Sequence, residues 1–288
     1  MKVILELIRY KNCAMAGLAA VIGAAIAFSA EPGELLWMGL IFFTVFVITG
    51  AGNAINDYFD ANIDAINRPD RPIPSGRISR RSAYTFSIGL FALGIIISFF
   101  IGPTHSTHIP FWIAIFNSFL LYFYASSLKR KVFVGNLSVS YLTGSTFLFG
   151  GAAYGGKGIQ VTLILFLLSM LATFAREIVK TIEDIEGDKL DGASTLPIKI
   201  GETRAAYVAC AFGLLAVFLS PLPYFMGLFN EYYLVVVGIA DIVFLYAMVQ
   251  ILRKNPTSSS KYFKVAMFLA MLAFIAGSIL NRIPLDIR

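Results

Sequence analysis

Long apolar stretches, nearly evenly spaced and joined by short polar ones, run the length of the chain. A helix needs about 20 such residues to cross the hydrocarbon core of a bilayer. Nine stretches approach or exceed that length: residues 12–29, 35–55, 82–102, 109–127, 134–154, 160–182, 204–226, 232–252 and 262–281. The first continues through Gly23-Ala24-Ala25-Ile26-Ala27-Phe28 and further stretches follow, which favours a retained span over a removable signal peptide. No long polar linker interrupts the series. The pattern therefore predicts one all-α integral membrane domain over residues 1–288, a bundle of about nine transmembrane helices.

Composition makes lipid the necessary solvent. Of 288 residues, 58% are hydrophobic and only 14% charged, with a mean hydropathy of +0.76. Soluble domains keep about a quarter of their residues charged, so a soluble enzyme, a disordered chain and a secreted disulfide scaffold are all excluded. Cys13 and Cys210 sit alone in apolar runs and offer neither a bridge framework nor a zinc set.

Placing the charges gives an orientation. Lys2, Arg9 and Lys11 accompany the start of the first stretch, and Arg68, Arg71, Arg77, Arg80 and Arg81 separate the second from the third. Lys129, Arg130 and Lys131 follow the fourth; Arg176, Lys180, Lys189, Lys199 and Arg204 lie around the end of the sixth; Arg253, Lys254, Lys261 and Lys264 precede the ninth. With nine crossings all of these share one face, and only Lys157, Arg282 and Arg288 fall on the other. Twenty of 23 cations on one side is the asymmetry that keeps Lys and Arg cytoplasmic. The expected topology is a multi-pass protein of the cell membrane with a cytoplasmic N-terminus and an external C-terminus. The net charge of +6 is thereby explained, and no nucleic-acid partner is expected.

The acids are concentrated on that same face. Asp57, Asp60, Asp64 and Asp70 follow the second stretch, and Glu177, Glu183, Asp184, Glu186, Asp188 and Asp191 lie at and beyond the end of the sixth. If the second helix continues inward, Asn56, Asp60 and Asp64 are four apart and share a face. Lys180, Asp184 and Asp188 repeat the spacing, and Asp191 adds a further turn. Like charges four apart destabilise a bare helix. A divalent cation removes that penalty, and carboxylate oxygens are the ligands Mg²⁺ prefers. Two acidic helix ends facing each other across a bundle would each hold Mg²⁺, completing its shell with the phosphates of a diphosphate substrate.

The paired motifs carry a family resemblance. Asn56-Asp57-x-x-Asp60-x-x-x-Asp64, followed by Arg68-Pro69-Asp70-Arg71-Pro72-Ile73-Pro74-Ser75-Gly76-Arg77, resembles the first signature of the UbiA superfamily of intramembrane prenyltransferases. Glu183-Asp184-Ile185-Glu186-Gly187-Asp188-Lys189, continuing through Asp191 to Thr195-Leu196-Pro197, is similar to the second. The resemblance covers nearly the whole chain. It implies a helical bundle with a lipid-open central cavity for the prenyl tail, and Mg²⁺ held by Asp57, Asp60, Asp64, Asp184, Asp188 and Asp191. Asp60, Asp64, Asp184 and Asp188 are the implied catalytic acids. Asn56, Arg68, Arg71, Lys129 and Lys180 are the implied contacts of the diphosphate, with Lys129 and Tyr124 matching a Tyr and Lys that the family carries after its fourth span. The run Arg176-Glu177-Ile178-Val179-Lys180 is most similar to the archaeal ether-lipid branch. That implies transfer from geranylgeranyl diphosphate to the hydroxyl of geranylgeranylglyceryl phosphate, a lipid acceptor, with membrane lipids around both; the oligomeric state stays open. Chlorophyll-type enzymes share a similar Arg-Pro-Ile-Pro-Ser-Gly loop, so a chlorophyll or quinone precursor is the alternative acceptor.

The chemistry such a site needs is an ionising prenyl diphosphate, whose allylic cation aromatic faces stabilise. Tyr58, Tyr122, Tyr124 and Tyr141 are candidates, though simple packing explains each. Cations near the same mouth would meet an acceptor phosphate: Arg9, Lys11 and the Arg77, Arg80, Arg81 group qualify. A transporter would instead place ionisable groups at mid-membrane, often in inverted repeats; only Asp241 lies at that depth, and both acidic motifs follow inward-running spans. A CDP-alcohol phosphotransferase signature is missing, because Asp191-Gly192 runs into Ala193-Ser194-Thr195. His105 and His108 have metal-like spacing but no acidic or thiol neighbour. The Gly150-Gly151 and Gly155-Gly156 pairs suggest close helix contact, since no P-loop residues follow them.

Overall fold

The computed structural model describes residues 2–27, 34–101, 107–190 and 192–280, which leaves Asp191 and His105 outside the described residues. Among the described residues the chain is all-helical, with no strand. The helices are α1 (Lys2–Leu7), α2 (Tyr10–Ala27), α3 (Glu34–Asn67), α4 (Arg80–Phe100) and α5 (Ile109–Ser126), then a single 3₁₀ turn, Leu128–Arg130. They continue as α6 (Val134–Ala152), α7 (Gly155–Glu183), α8 (Ile185–Leu190), α9 (Leu196–Ile200), α10 (Glu202–Leu219), α11 (Leu222–Phe225), α12 (Glu231–Leu252) and α13 (Pro256–Leu280).

Among the described residues, eight helical stretches are long and apolar enough to span a bilayer; this is a multi-pass membrane protein. The remaining expected stretch, 134–154, forms α6, 19 residues long, uncharged but rich in Gly, Ser and Thr. Its Asn136, Ser138, Ser140 and Ser145 are all buried. A helix enclosed by protein needs no lipid-compatible surface, only satisfied polar groups. The hydroxyls of Ser138, Ser140 and Thr143 donate to the carbonyls of Val134, Asn136 and Val139 at 2.7, 2.6 and 2.9 Å. By contrast α5 presents Trp112, Phe116, Phe119 and Phe123 on one exposed stripe, a surface suited to acyl chains.

The chain folds as two compact units, one of Met1–Leu128 with Ser145–Gln160, the other of Lys129–Gly144 with Val161–Arg288. In the first, α3 packs against α1, α2, α4 and α5 around Ile41, Val45, Ile48, Ala51, Ile55 and Phe91. Small residues bring backbones together there: a Cβ on Gly150 would stand 1.9 Å from the Ala20 carbonyl oxygen, and one on Gly23 would stand 2.2 Å from that of Phe147. In the second unit α12 packs along α13 and against α10, enclosing Phe244, Ala247, Met248, Ile251 and Phe263.

The two longest helices are those that carry the acidic motifs. α3 has 34 residues and α7 has 29, so at about 1.5 Å per residue they measure about 51 and 44 Å. Both exceed the roughly 30 Å apolar layer, so the carboxylates on the last turns of α3 and at or just beyond the end of α7 are free to stand in a polar environment.

Candidate active site

In the first unit the acidic end of α3 is folded over by two segments. The loop 68–79 turns back on itself: the amides of Arg68, Arg71 and Ser75 donate to the carbonyls of Asp64, Arg68 and Arg71 at 2.8, 3.0 and 3.0 Å. Pro72 and Pro74 fix φ in this stretch, and Gly76 takes the left-handed conformation its turn requires, at φ +72°. Ile73 and Ile78 dock beside Leu7, Ala54 and Ala83. Arg71 is thereby carried back onto α3, where its Nη1 donates to Asp64 Oδ2 at 2.6 Å and Asp57 Oδ1 at 3.2 Å. From the other side Arg9, at the corner between α1 and α2, donates from Nη2 to the same Asp57 oxygen at 2.6 Å.

Asp57 and Asp64 are only 3% and 6% exposed. Two buried carboxylates thus face two guanidinium groups, and the network is neutral in sum. That is the condition under which buried charge is tolerated. The remaining pair behaves differently: Asn56 Nδ2 donates to Asp60 Oδ2 at 2.9 Å, and both residues are half-buried. α3 is unbroken through Asn56, Asp60 and Asp64, which therefore lie along one side of it as expected, and Arg71 in addition joins Asp64 to Asp57. Successive steps of four drift about 40° each around a helix, whereas a step of seven closes to about 20°, so Asp57 and Asp64 are the better aligned.

Beside these acids lies an aromatic group. Tyr58 and Phe59 rings are 5.1 Å apart, Phe59 and Tyr122 5.6 Å, and Tyr58 and Tyr84 4.9 Å. The Arg80 guanidinium sits 4.8 Å from the centre of the Tyr58 ring; that face receives a cation. Arg80 also donates to Asn62 Oδ1 at 3.4 Å. Arg77 makes a two-pronged pair with Glu6 at 2.6 and 2.8 Å and also donates to the Asp70 carbonyl, tying α1 to the loop. Hydrogen bonding to Arg77 holds the Glu6 carboxyl below its ordinary range and raises the Arg77 guanidinium. Arg68 is exposed at the mouth of the loop.

In the second unit the helical path continues past the end of α7, with Asp184 N–H on Lys180 O and Asp188 N–H on Asp184 O, both at 2.9 Å. Lys180, Asp184 and Asp188 therefore stack one turn apart, the first two exposed and Asp188 half-buried. Gly192 at φ +65° ends this run, with Ala193 N–H on Asp188 O at 2.9 Å. Ser194 N–H then reaches Arg130 O at 3.0 Å, which brings the 3₁₀ turn bearing Lys129 to the loop after the second motif. Arg176 pairs with Glu177 at 2.9 Å, and its Nε is buried with no hydrogen-bond partner among the described residues. Tyr141 packs edge-on to Phe166 at 5.8 Å; Tyr124 lies half-buried on α5.

Spacing alone missed three of these features. Asn53, one turn before Asp57, donates to the Ile8 carbonyl at 2.8 Å; Tyr84 completes the tyrosine group; and Arg9 pairs with Asp57. Only Asn53 had a local signal, since it extends the row of polar positions on α3 by one turn.

Among the described residues no three of His, Cys, Asp and Glu converge on a point. Carboxylate and carboxamide oxygens are the donors that suit a hard ion such as Mg²⁺, which takes one or two carboxylates and completes its shell with phosphate and water. Asn56 with Asp60, and Asp184 with Asp188, are the residues that fit such an ion.

Each unit thus carries carboxylates and cations at or just beyond the end of a long helix, and the first adds an aromatic group. The chain belongs to the UbiA prenyltransferase family, which it matches over residues 16–272, across both units. It is 54% identical over 285 residues to the digeranylgeranylglyceryl phosphate synthase of Methanosarcina mazei, a match that covers 95% of this chain and 97% of that one. A solved structure of a digeranylgeranylglyceryl phosphate synthase superposes with a TM-score of 0.81 at 44% identity, covering 97% of this chain and 98% of that one. A UbiA homologue from Archaeoglobus fulgidus bound to GPP and Mg²⁺ shares the fold, with a TM-score of 0.68 at 17% identity over 93% of this chain and 99% of that one.

Proposed function

We propose that this protein transfers the geranylgeranyl group of geranylgeranyl diphosphate to the hydroxyl of geranylgeranylglyceryl phosphate, forming an ether bond in archaeal membrane lipid synthesis. The observation that carries the reading is the pair of acidic helix ends on α3 and α7, in a chain that matches a synthase of this name over 95% of its length. N-terminus and both motifs face the cytoplasm and the C-terminus faces out, as the distribution of Lys and Arg supports.

The residues divide the work. Asn56 and Asp60 on α3, and Asp184 and Asp188 after α7, hold divalent cations. Bound Mg²⁺ supplies the charge that a departing diphosphate needs. Lys180, Lys129 and Arg68 meet the phosphate oxygens directly and stabilise the charge that grows as the C1–O bond breaks. The electron pair leaves with the diphosphate, the acceptor oxygen attacks C1, and the hydroxyl proton departs to the polar mouth. Tyr58, which already accepts a cation on its face, and its neighbours Tyr84 and Tyr122 give the allylic cation an electron-rich wall and keep water away.

Purified protein, Mg²⁺ and labelled geranylgeranyl diphosphate are to be assayed against a panel of acceptors that includes geranylgeranylglyceryl phosphate, chlorophyllide and quinone precursors. Ether product with the glyceryl phosphate alone is expected, and product only with another acceptor refutes the assignment. Asp60→Ala and Asp184→Ala are each expected to abolish turnover in protein that still elutes as a folded species; full activity in both refutes the site.

A further inference from the structure

The hairpin of α12 and α13 turns at a corner that carries cations and no acid. Arg253 and Lys254 close α12, Lys261 and Lys264 follow on α13, and residues 242–280 contain neither Asp nor Glu. All four cations are exposed, and among the described residues none of their side chains makes a hydrogen bond or an ion pair. We propose that this corner binds the phosphate headgroup of an anionic membrane phospholipid, whose apolar chains lie along the exposed face of α12. The site lies wholly within the second unit and uses none of the residues assigned to prenyl transfer, so it stands apart from that reading.

The corner is rigid, and it is held under strain. Arg253 caps α12, and Lys254 follows at φ +58°, the left-handed conformation that this position of a helix end usually gives to glycine. Lys254 N–H donates to the Ile251 carbonyl and Asn255 N–H to the Gln250 carbonyl, both at 3.0 Å, which closes the turn. Asn255 Oδ1 then accepts from Ser258 N–H at 3.1 Å at the start of α13. One residue on, the buried Ser259 hydroxyl donates to the Ala247 carbonyl at 2.8 Å and fastens the two helices together. Strain of this kind persists only where the surroundings impose it, and here the strained residue is one of the four cations.

The face leading to the corner matches the rest of such a lipid. Val235, Ile239, Ile242, Tyr246 and Val249 are all exposed, as is Arg253. They succeed one another at alternating steps of four and three, and the whole interval closes five helical turns, so they form one straight stripe. From Ile242 to Arg253 the stripe measures about 17 Å, close to the half of a roughly 30 Å apolar layer that one leaflet supplies. Tyr246 stands on it with its ring 4.7 Å from that of Tyr262 on α13, edge-on at 81°. Neither hydroxyl has a hydrogen-bond partner among the described residues, and tyrosine of this kind favours the depth of the headgroups. The stripe therefore runs from aliphatic to tyrosine to arginine, the order of chain, backbone and phosphate in a lipid. The preference of Lys and Arg for one membrane face accounts for the charges. It does not account for the tyrosine pair on the same stripe or for a lysine held in a glycine conformation. A guanidinium takes phosphate oxygens as a fork and the lysines add point charges, whereas a zwitterionic headgroup would bring a cation of its own to the same place.

The test titrates the full chain in detergent with phosphatidylglycerol or phosphatidylcholine and reads the dissociation constant of each bound lipid by native mass spectrometry. A cation near a charged lipid surface contributes about fivefold in affinity. The double variant Arg253→Gln, Lys261→Gln should therefore weaken one phosphatidylglycerol step about tenfold or more and leave the others within about twofold. In wild-type protein that step should favour phosphatidylglycerol over phosphatidylcholine about tenfold. A control of equal charge, Lys2→Gln with Lys157→Gln at two exposed positions elsewhere, should keep every step within about twofold. Lys254→Gly relieves the left-handed side chain, so it should hold or raise Tm in lipid-free detergent while weakening the same step about fivefold. The assignment is overturned if all steps in the Arg253, Lys261 variant match wild type, or if the control loses as much, since net charge alone would then decide. Equal affinity for the two lipids at that step overturns it as well. So does displacement of the lipid by an equal concentration of glycerol phosphate, because the corner would then take a free phosphate and not a lipid. Every substituted side chain is exposed, and Tm measured without lipid confirms that each variant is folded.

Discussion

Replacing Arg71 with Gln tests the charge network at its most dependent point. Asp64 is 6% exposed, and among the described residues Arg71 is its ion-pair partner, at 2.6 Å. Asp57 is better insured, since Arg9 stays at 2.6 Å when the 3.2 Å contact from Arg71 is lost. A close pair at an effective dielectric of about 20 interacts by about 4 kcal/mol, and removing one partner of a buried pair typically costs about 3–5 kcal/mol. Arg71 is 19% exposed, so part of that interaction is screened, and about 3 kcal/mol is expected for Arg71→Gln. Asp64→Asn leaves Arg71 with Asp57 and a path to water, and should cost only about 1 kcal/mol. The double variant has no unpaired carboxylate and should fall near the Asn variant, a coupling of about 3 kcal/mol. At about 2–4 °C per kcal/mol, thermal unfolding in detergent followed by circular dichroism should show Tm falling about 6–12 °C for Arg71→Gln. For Asp64→Asn and the double variant the fall should be about 2–4 °C. Equal shifts for the two single variants, or strict additivity in the double, would refute the reasoning that Asp64 is the group stranded by loss of Arg71.

Other parts of the structure give equally direct expectations. Gly150→Ala forces a Cβ to within 1.9 Å of one α2 backbone oxygen and 2.6 Å of a backbone nitrogen and should cost about 3 kcal/mol. Gly89→Ala, with open space around the position on α4, should gain up to about 1 kcal/mol; thermal unfolding of the pair separates close approach from helix propensity. The Glu6 carboxyl is lowered from 4.5 by Arg77, so its contribution is complete above that pH and lost as pH falls through the lowered value. Amide exchange in α1 should therefore be constant from pH 7 to about 5 after correction for intrinsic rates and rise below about 4, and Glu6→Gln should remove that transition. Ser220 Oγ lies 2.6 Å from Asp241 Oδ2, inside the apolar span of α12. Asp241→Asn keeps an acceptor there and should preserve Tm, whereas Asp241→Ala loses the bond between α10 and α12 and should cost about 0.6–1.7 kcal/mol.

Hydropathy and length made most of the fold legible. The expected stretches 82–102, 109–127 and 232–252 fall within a few residues of α4, α5 and α12, because lipid leaves a spanning segment no choice but to be apolar and helical. Where the environment was protein, the signal weakened. α6 spans a comparable length with buried Asn136, Ser138, Ser140 and Ser145, and the hydroxyls of Ser138 and Ser140 are satisfied by its own carbonyls in a way hydropathy does not register. The inward continuation of the second span was also legible, since α3 runs unbroken to Asn67 and carries its charges past the apolar layer. The corner at Arg9 was not: nothing in a run from Leu7 to Lys11 announces a left-handed residue that is neither Gly nor Asn.

The site was legible as composition and illegible as pairing. At the second motif spacing described the local geometry, because Lys180, Asp184 and Asp188 are stacked by consecutive backbone bonds. At the first motif spacing placed Asp64 on the side of α3 that carries Asn56 and Asp60, and could not show that Arg71 also joins it to Asp57. Helical periodicity describes what one helix does to itself; it is silent about a guanidinium arriving from elsewhere. Arg9 lies 48 residues before Asp57 and Arg71 lies 14 after it, and each reaches α3 only because a turn or a loop has folded first. In a chain where only 14% of residues are charged, each buried carboxylate must be matched by an identified cation. For Asp57 and Asp64 that cation is a fastened arginine brought in by another segment, which no periodicity along α3 announces.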